Sequence, residues 1–288
     1  MVLHIMKYRK VAYWVSGILV ALSIFSLAFR GLNYGIDFSG GISMEVTPIE
    51  QSYTIDKMRS DLSEFKPELQ QVDGKAILIR LGLPKNSTDA QQNKRVSEIK
   101  DILGNKVDYS QVQIVGPKIG SELIQGGILA ILFAFVMMAI YVWIRYKGGY
   151  AVGAFVSLFL DFILMFGFFS VAGLEFNQTA IAVILTGLGY SINDKVVNYD
   201  RIDENVKKYH KMSMADLIDL SVSEMFRRTM LTSVSTLLAM IGLLLFGGMM
   251  LRDFALAMGF SVIMGTFTSI FISNMILYNF NLRDTDKQ

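Results

Sequence analysis

Two aspartates stand where an ionisable side chain is hardest to keep. Asp161 falls between Leu160 and Phe162 in a long apolar run, and Asp194 falls in the string Gly187-Leu188-Gly189-Tyr190-Ser191-Ile192-Asn193-Asp194-Lys195. A charged residue at the centre of an inserted helix disfavours insertion by about 2.5–3.5 kcal/mol, so each is a functional candidate by default. For Asp161 two readings stand side by side: an ion-path carboxylate, or a buried polar group bonding a neighbouring helix. Around Asp194, Gly187 and Gly189 allow helices to approach closely, while Ser191 and Asn193 offer polar groups able to hold water or an ion. Arg228 enters the fifth apolar run at a comparable depth, so an Asp194–Arg228 pair is expected. Burial favours the neutral form of a carboxyl group and a nearby cation favours the ionised form. A cation that approaches in one conformation and retreats in another would therefore couple proton flow to helix movement. Lys195 lies about 100° around the helix from Asp194, placed either to snorkel to the interface or to hold Asp194 ionised. Asp200 and Arg201 follow at the interface, where plain solvation is the competing reading.

Long apolar segments must carry these residues. The 288 residues are 52% hydrophobic and 18% charged, with a mean hydropathy of +0.43; a soluble domain carries about 25% charged residues. A net charge of +2 excludes a strongly basic nucleic-acid binder. With no cysteine and only His4 and His210, disulfides, thiol nucleophiles and Cys- or His-rich metal sites fall away. No G-x-x-x-x-G-K-[ST] string is present, so energy for any work has to come from outside this chain. Apolar runs of about 17–25 residues cross a bilayer as helices, and six qualify: Val11–Phe29, Leu123–Ile144, Tyr150–Val171, Thr179–Val197, Met230–Phe246 and Phe254–Leu277. The first lacks a small-x-small cleavage site and reads as an uncleaved anchor. Lys and Arg gather at Lys7, Arg9, Lys10, Arg145, Lys147, Arg201, Lys207, Lys208, Lys211, Arg227 and Arg228, whereas Ala172–Gln178 has none and Gly247–Asp253 only Arg252. The positive-inside rule then puts both termini in the cytoplasm and the long first connection outside. Four parts result: 1–30, the cytoplasmic start and first span; 31–121, an exported domain; 122–281, the remaining spans; and 282–288, a cytoplasmic tail. Within the third part, about 198–228 is cytoplasmic and amphipathic, with Met214–Phe226 expected to lie in the membrane interface.

The exported stretch is polar and mixed in charge. Ile42, Met44 and Val46 alternate with Ser43 and Glu45, a period-two strand signal. A helix near Thr54–Phe65 follows, then strands Leu69–Val72 and Lys75–Leu81 around an Asp73-Gly74 turn. A second helix near Thr88–Leu103 and a strand Tyr109–Val115, with Val112 and Ile114 on one side, complete β-α-β-β-α-β. That order predicts a split βαβ, ferredoxin-like α+β domain on a six-helix membrane protein. Along the sixth span, Ser261, Gly265, Ser269 and Ser273 recur every four residues, a packing stripe.

Four strings carry a resemblance to the SecF family of protein-export membrane subunits. Gly35-Ile36-Asp37-Phe38-Ser39-Gly40-Gly41 is similar to the family's GIDFxGG, and Val115-Gly116-Pro117-Lys118-Ile119-Gly120-Ser121-Glu122-Leu123 to its VGPxIGxEL. Gly189-Tyr190-Ser191-Ile192-Asn193-Asp194, with Asp200-Arg201-Ile202 and Glu204-Asn205, resembles GYSxND…DRIxEN. Leu245-Phe246-Gly247-Gly248, with Leu251-Arg252-Asp253-Phe254, resembles the family's fifth–sixth hairpin. The resemblance implies a bacterial inner-membrane subunit related to the resistance–nodulation–division transporters. Its implied partners are SecD, the SecYEG channel, YajC as a further associate, the translocating preprotein and membrane lipid, with no nucleic acid. It implies a non-enzymatic role with no cofactor, in which the proton-motive force drives late stages of preprotein export. The transported ion is H+, with Na+ as the alternative. Asp194 and Arg228 fall on the family's ion path, and Asp161 on a third-span acidic position. Lys195 departs from the usual Thr or Ser, and Asn198-Tyr199 departs too. Alternative functions are a half-size transporter of a lipid or small molecule, and a non-conducting scaffold of the channel.

Overall fold

A computed structural model describes residues 3–50, 52–71, 75–83, 87–146 and 148–280, with backbone alone at 89, 117, 118 and 248–250. The expected Asp73-Gly74 turn, Lys147 and the tail 282–288 lie outside the described residues. The chain divides into two units: one comprises Tyr34–Leu129 with Glu175–Gln178, and the other holds the rest.

The first unit is a four-stranded antiparallel sheet with two helices. Strands β1 (Gly41–Pro48), β2 (Glu68–Gln71), β3 (Ile77–Gly82) and β4 (Val107–Val115) run in the order β2-β3-β1-β4. Helix α1 (Ile55–Asp61) joins β1 to β2, and α2 (Asp89–Leu103) joins β3 to β4. Both β1 and β2 are antiparallel to β3, which lies between them, so the β1-α1-β2 crossover is split by a third strand. Alternation explains the core: Ile42, Met44 and Val46 of β1 and Ile77, Ile79 and Leu81 of β3 meet Met58, Leu62, Ile99 and Leu103 from the helical side. Thr88 begins α2 with a capping box, its side chain bonding the third helical residue while Gln91 bonds back.

Strand β4 starts at Val107, two residues before the sequence pattern suggests. A register shift opposite Glu45/Val46 is the reason. Before it, Val107 and Tyr109 share a side; after it, Val112 and Ile114 do, because one extra residue in a strand reverses which parity faces the core. The alternation seen in the second half of β4 is therefore out of phase with its first half.

Beside α1, the Lys106 ammonium reaches Asp61 Oδ2 at 3.0 Å and the Tyr53 hydroxyl donates to the same oxygen at 2.8 Å. The lysine and then the tyrosine hold the Asp61 carboxyl below the usual carboxylate range. A carboxyl acidified by folding stabilises the fold above its unfolded pKa of about 3.9, and that contribution is lost as pH falls through the lower folded value. Protection of the β1 amides in the full chain, corrected for the pH dependence of intrinsic exchange and followed from about pH 6 down to pH 3, should fall more in the wild type than in Asp61→Asn. An equal fall in both would show that this cluster contributes nothing.

The second unit holds most of the membrane-helix residues. Among the described residues, six helices are long and apolar enough to cross a bilayer: Ile5–Phe29, Ile119–Arg145, Gly149–Ala172, Gln178–Lys208, Met214–Phe246 and Leu251–Tyr278. The fifth begins 16 residues before the apolar run does. Met214–Phe226 is therefore the first part of the fifth helix, capped by Ser213 accepting from Asp216 N, rather than a separate interfacial helix. Its apolar face is covered by protein: Leu217, Ile218 and Val222 are buried with Ile5, Met6, Tyr146 and Tyr199. The N-terminal turn docks there, Met6 N donating to Asp219 Oδ1 at 2.9 Å and Leu3 N to Ser223 Oγ at 2.7 Å. An amphipathic pattern marks a helix with one apolar face, and either lipid or protein satisfies it.

Candidate functional site

The buried ion pair joins Asp161 to Lys195. Lys195 Nζ lies 2.7 Å from Asp161 Oδ2, with both side chains almost wholly buried. Helical spacing accounts for the face: Ser191 and Lys195 are four residues apart and point the same way. From the fourth span, Ser191 Oγ donates to Asp161 Oδ2 at 2.6 Å. From the sixth, Thr268 Oγ1 donates to Asp161 Oδ1 at 2.6 Å. The ammonium completes the set, donating to the Ser191 hydroxyl and, at 3.2 Å, to Thr268 Oγ1. Each hydroxyl thus accepts from the lysine and donates to the aspartate, and the three ammonium protons meet three oxygens. A buried charge pair is tolerated when such bonds satisfy its remaining protons and lone pairs.

Thr268 opens a π-helical segment, Thr268–Ser273, that interrupts the sixth span. Wide turns of this kind recur at functional sites. Two buried amides attend it: Asn274 Nδ2 donates to the carbonyls of Ser269 at 3.0 Å and Ile270 at 2.9 Å, and Asn198 Nδ2 reaches Ser269 O at 3.5 Å. The small-residue stripe packs the fourth and sixth spans together. A Cβ on Gly187 would collide with Ser261, and one on Gly265 would sit 3.1 Å from Ser191 Cβ. Gly189, expected to serve the same purpose, faces open space.

Asp194 is buried, at 3% exposure, and its Oδ2 has no hydrogen-bond partner among the described residues. Arg228 and Asn193 are both exposed, and among the described residues no hydrogen bond or ion pair joins Asp194 to Arg228. Helix register accounts for this. Thr236 of the fifth span donates to the Tyr190 hydroxyl of the fourth at 3.0 Å. Four residues along the fourth span lead from Tyr190 to Asp194, but the antiparallel fifth span needs eight to lead from Thr236 to Arg228. The guanidinium's Cα therefore sits about one turn, roughly 6 Å, beyond the aspartate. Lys195 neither snorkels nor turns toward Asp194; it faces inward to Asp161.

The motif residues at the ends of the spans form ties. Asp200 accepts from the Tyr146 hydroxyl at 2.7 Å and pairs with Arg145 at 2.5 Å, linking the fourth helix to the end of the second. Arg201 Nε pairs with Glu224 at 2.6 Å, joining the fourth helix to the fifth, and Asn205 donates to the same carboxylate at 2.8 Å. In the other unit, Gly40 has φ +71°, which glycine adopts freely, and a Cβ on Gly41 would lie 2.6 Å from the Leu81 carbonyl oxygen. Asp37 Oδ2 accepts from the backbone N–H of Gln178, the first residue of the fourth helix, at 3.2 Å. A carboxylate there satisfies an otherwise unpaired terminal donor and meets the positive end of the helix dipole. Gly35 N donates to Phe176 O at 3.0 Å, and Arg80 pairs with Glu175. Gly116 lies beside Gln92, Pro117 starts the helix that becomes the second span, and Gly247 ends the fifth helix just before Gly248 opens the next.

Sequence reasoning missed Thr268, Asn274 and the π segment, for which no local signal exists, and met Asn198 only as a departure from the family string. The clue to Lys195's partner was its four-residue spacing from Ser191.

Six apolar helices, ionisable residues buried among them and an α/β unit inserted after the first define a multi-pass membrane protein. The family model for the C-terminal part of the protein-export membrane proteins SecD/SecF matches residues 95–283, and the SecD/SecF GG motif matches residues 25–48. Protein translocase subunit SecF of Rickettsia bellii is 41% identical over 98% of this chain and 94% of its own length. The corresponding Rickettsia felis protein is 40% identical over 98% of this chain and 93% of its own. Among solved structures, SecDF from Thermus thermophilus, described as a translocon-associated membrane protein, superposes with a TM-score of 0.84 at 30% identity. That match covers 96% of this chain and 38% of the SecDF chain. SecDF in a super-membrane-facing form gives a TM-score of 0.72 at 29% identity, covering 40% of that chain. This chain thus spans about two-fifths of the SecDF chains and nearly all of the curated SecF relatives. It belongs to the SecF family of protein translocase subunits.

Proposed function

We propose that this chain works with SecD as an auxiliary subunit of the Sec translocase in the bacterial inner membrane, where proton flow powers late stages of preprotein export. It makes and breaks no covalent bond in this reading, and its termini are cytoplasmic, as the Lys/Arg distribution favours. SecYEG is the channel it serves, with YajC an accessory. The observation that carries the reading is a buried acid, Asp194, with an unpartnered oxygen, one residue from a fully bonded Asp161–Lys195 pair. A buried carboxyl group with an oxygen free of hydrogen bonds changes its charge with a single proton, and the neighbouring pair gives its helix a fixed electrostatic reference. One elementary charge crossing the membrane releases about 2.3 kcal/mol per 100 mV, enough to shift a two-state helix arrangement some 50-fold. The family membership supplies the export context, and the length of the SecDF chains supports SecD as the other half of the assembly.

The test uses inner-membrane vesicles containing this full chain with SecD. Once ATP has initiated insertion, completion of preprotein transport should accelerate under an imposed proton gradient and lose that acceleration when a protonophore is added. Transport indifferent to the gradient would leave only the scaffold role.

A further inference from the structure

We propose that the ammonium of Lys195 is a tethered cation filling an oxygen nest that would otherwise suit a sodium ion, making Lys195 the residue that sets ion selectivity. The inference deepens the ion-coupled reading above and rests on it. The nest is built from three elements: Asp161 from the third span, Ser191 from the fourth, and Thr268 from the sixth, where the π segment starts. Carboxylate and hydroxyl oxygens around one point are the ligand chemistry of a hard cation, and interrupted membrane helices are where such ions are bound. Here the point is taken. Lys195 Nζ stands 2.7 Å from Asp161 Oδ2 and 3.2 Å from Thr268 Oγ1, also bonded to Ser191, with none of its side chain exposed.

The bonding excludes a second cation on three counts. The Asp161 charge is already balanced by the ammonium. Both hydroxyls donate to Asp161 and accept from Lys195, so the oxygen faces turned toward the middle of the nest are already engaged by the ammonium. A free ion would also meet the ammonium's charge at close range in a poorly screened interior. Asp194 does not replace the nest: its free Oδ2 has no hydroxyl or carbonyl group bonded beside it among the described residues. A lone carboxylate takes a proton readily, whereas a metal ion needs several oxygens at once. Selectivity for protons then follows from a side chain that occupies the metal position without leaving.

Thermal unfolding of the purified full chain in sodium chloride and in potassium chloride at equal ionic strength tests this. The wild type should melt at the same temperature in both salts. Lys195→Thr should melt lower than wild type in potassium and be raised by sodium, by about 3 °C or more at saturating ion. The double variant Asp161→Asn/Lys195→Thr should lose that sodium response. Folding of Lys195→Thr in sodium but not potassium would also support the proposal. A sodium-specific shift in the wild type would overturn it, and that arm needs no variant to fold. So would a Lys195→Thr protein that ignores sodium, or one that folds in neither salt. Melting is read without export, so failure here leaves the ion-coupled reading intact, and gradient-independent export would strike that reading alone.

Discussion

Asp194→Asn is expected to reduce gradient-stimulated export at least tenfold, to the level ATP alone supports, with protein abundance and assembly unchanged. Asparagine has nearly the same shape and volume, so packing around the fourth span is kept. What disappears is the ability to change charge. With one proton at 100 mV worth about 2.3 kcal/mol, a coupled two-state element loses a bias of about 50-fold. Because Asp194 Oδ2 has no hydrogen-bond partner, its substitution strands no other buried group, which separates this variant from changes at Asp161. The measurement is export into vesicles with and without an imposed gradient, alongside immunoblotting for the chain and co-purification of SecD. A variant that still responds to the gradient would remove Asp194 from the coupling step.

Lys195→Met is expected to be the most destabilising single change in the membrane unit. Methionine matches the aliphatic stem but leaves Asp161 ionised in a dry interior, and breaking a buried pair from one side costs about 3–5 kcal/mol. Ser191 and Thr268 lose an N–H donor at the same time. The double variant Asp161→Asn/Lys195→Met should recover most of the loss, because it buries no charge. Unfolding in detergent, followed for both single variants and the double, gives the coupling energy directly. Additive effects would mean that the two side chains do not act as a pair.

The six spans were legible because apolar length alone distinguishes them, and Asp161 and Asp194 because a carboxylate is conspicuous in such a run. The sheet was legible wherever alternation survives, as in Ile42, Met44 and Val46. Beyond that, tertiary contact decides. Spacing puts Ser191 and Lys195 on one face of the fourth helix and Asp194 on another, but it does not say which face meets the third span. The wide turn at Thr268–Ser273 carries no Gly or Pro to announce it. Met214–Phe226 has the same apolar face whether lipid or protein covers it, and here Ile5, Met6 and Tyr199 do. The Asp194–Arg228 pairing rested on depth within apolar runs, which is blind to a one-turn offset between antiparallel helices.

The grip of Asp37 on Gln178 has an electrical corollary. The fourth helix is one unbroken stretch of 31 residues, about 46 Å long at 1.5 Å per residue. Its aligned peptide groups leave a partial positive charge of about half an elementary unit at that first turn, and the carboxylate at position 37 neutralises it. An amide there would keep the shape and leave that end of the helix electrically bare.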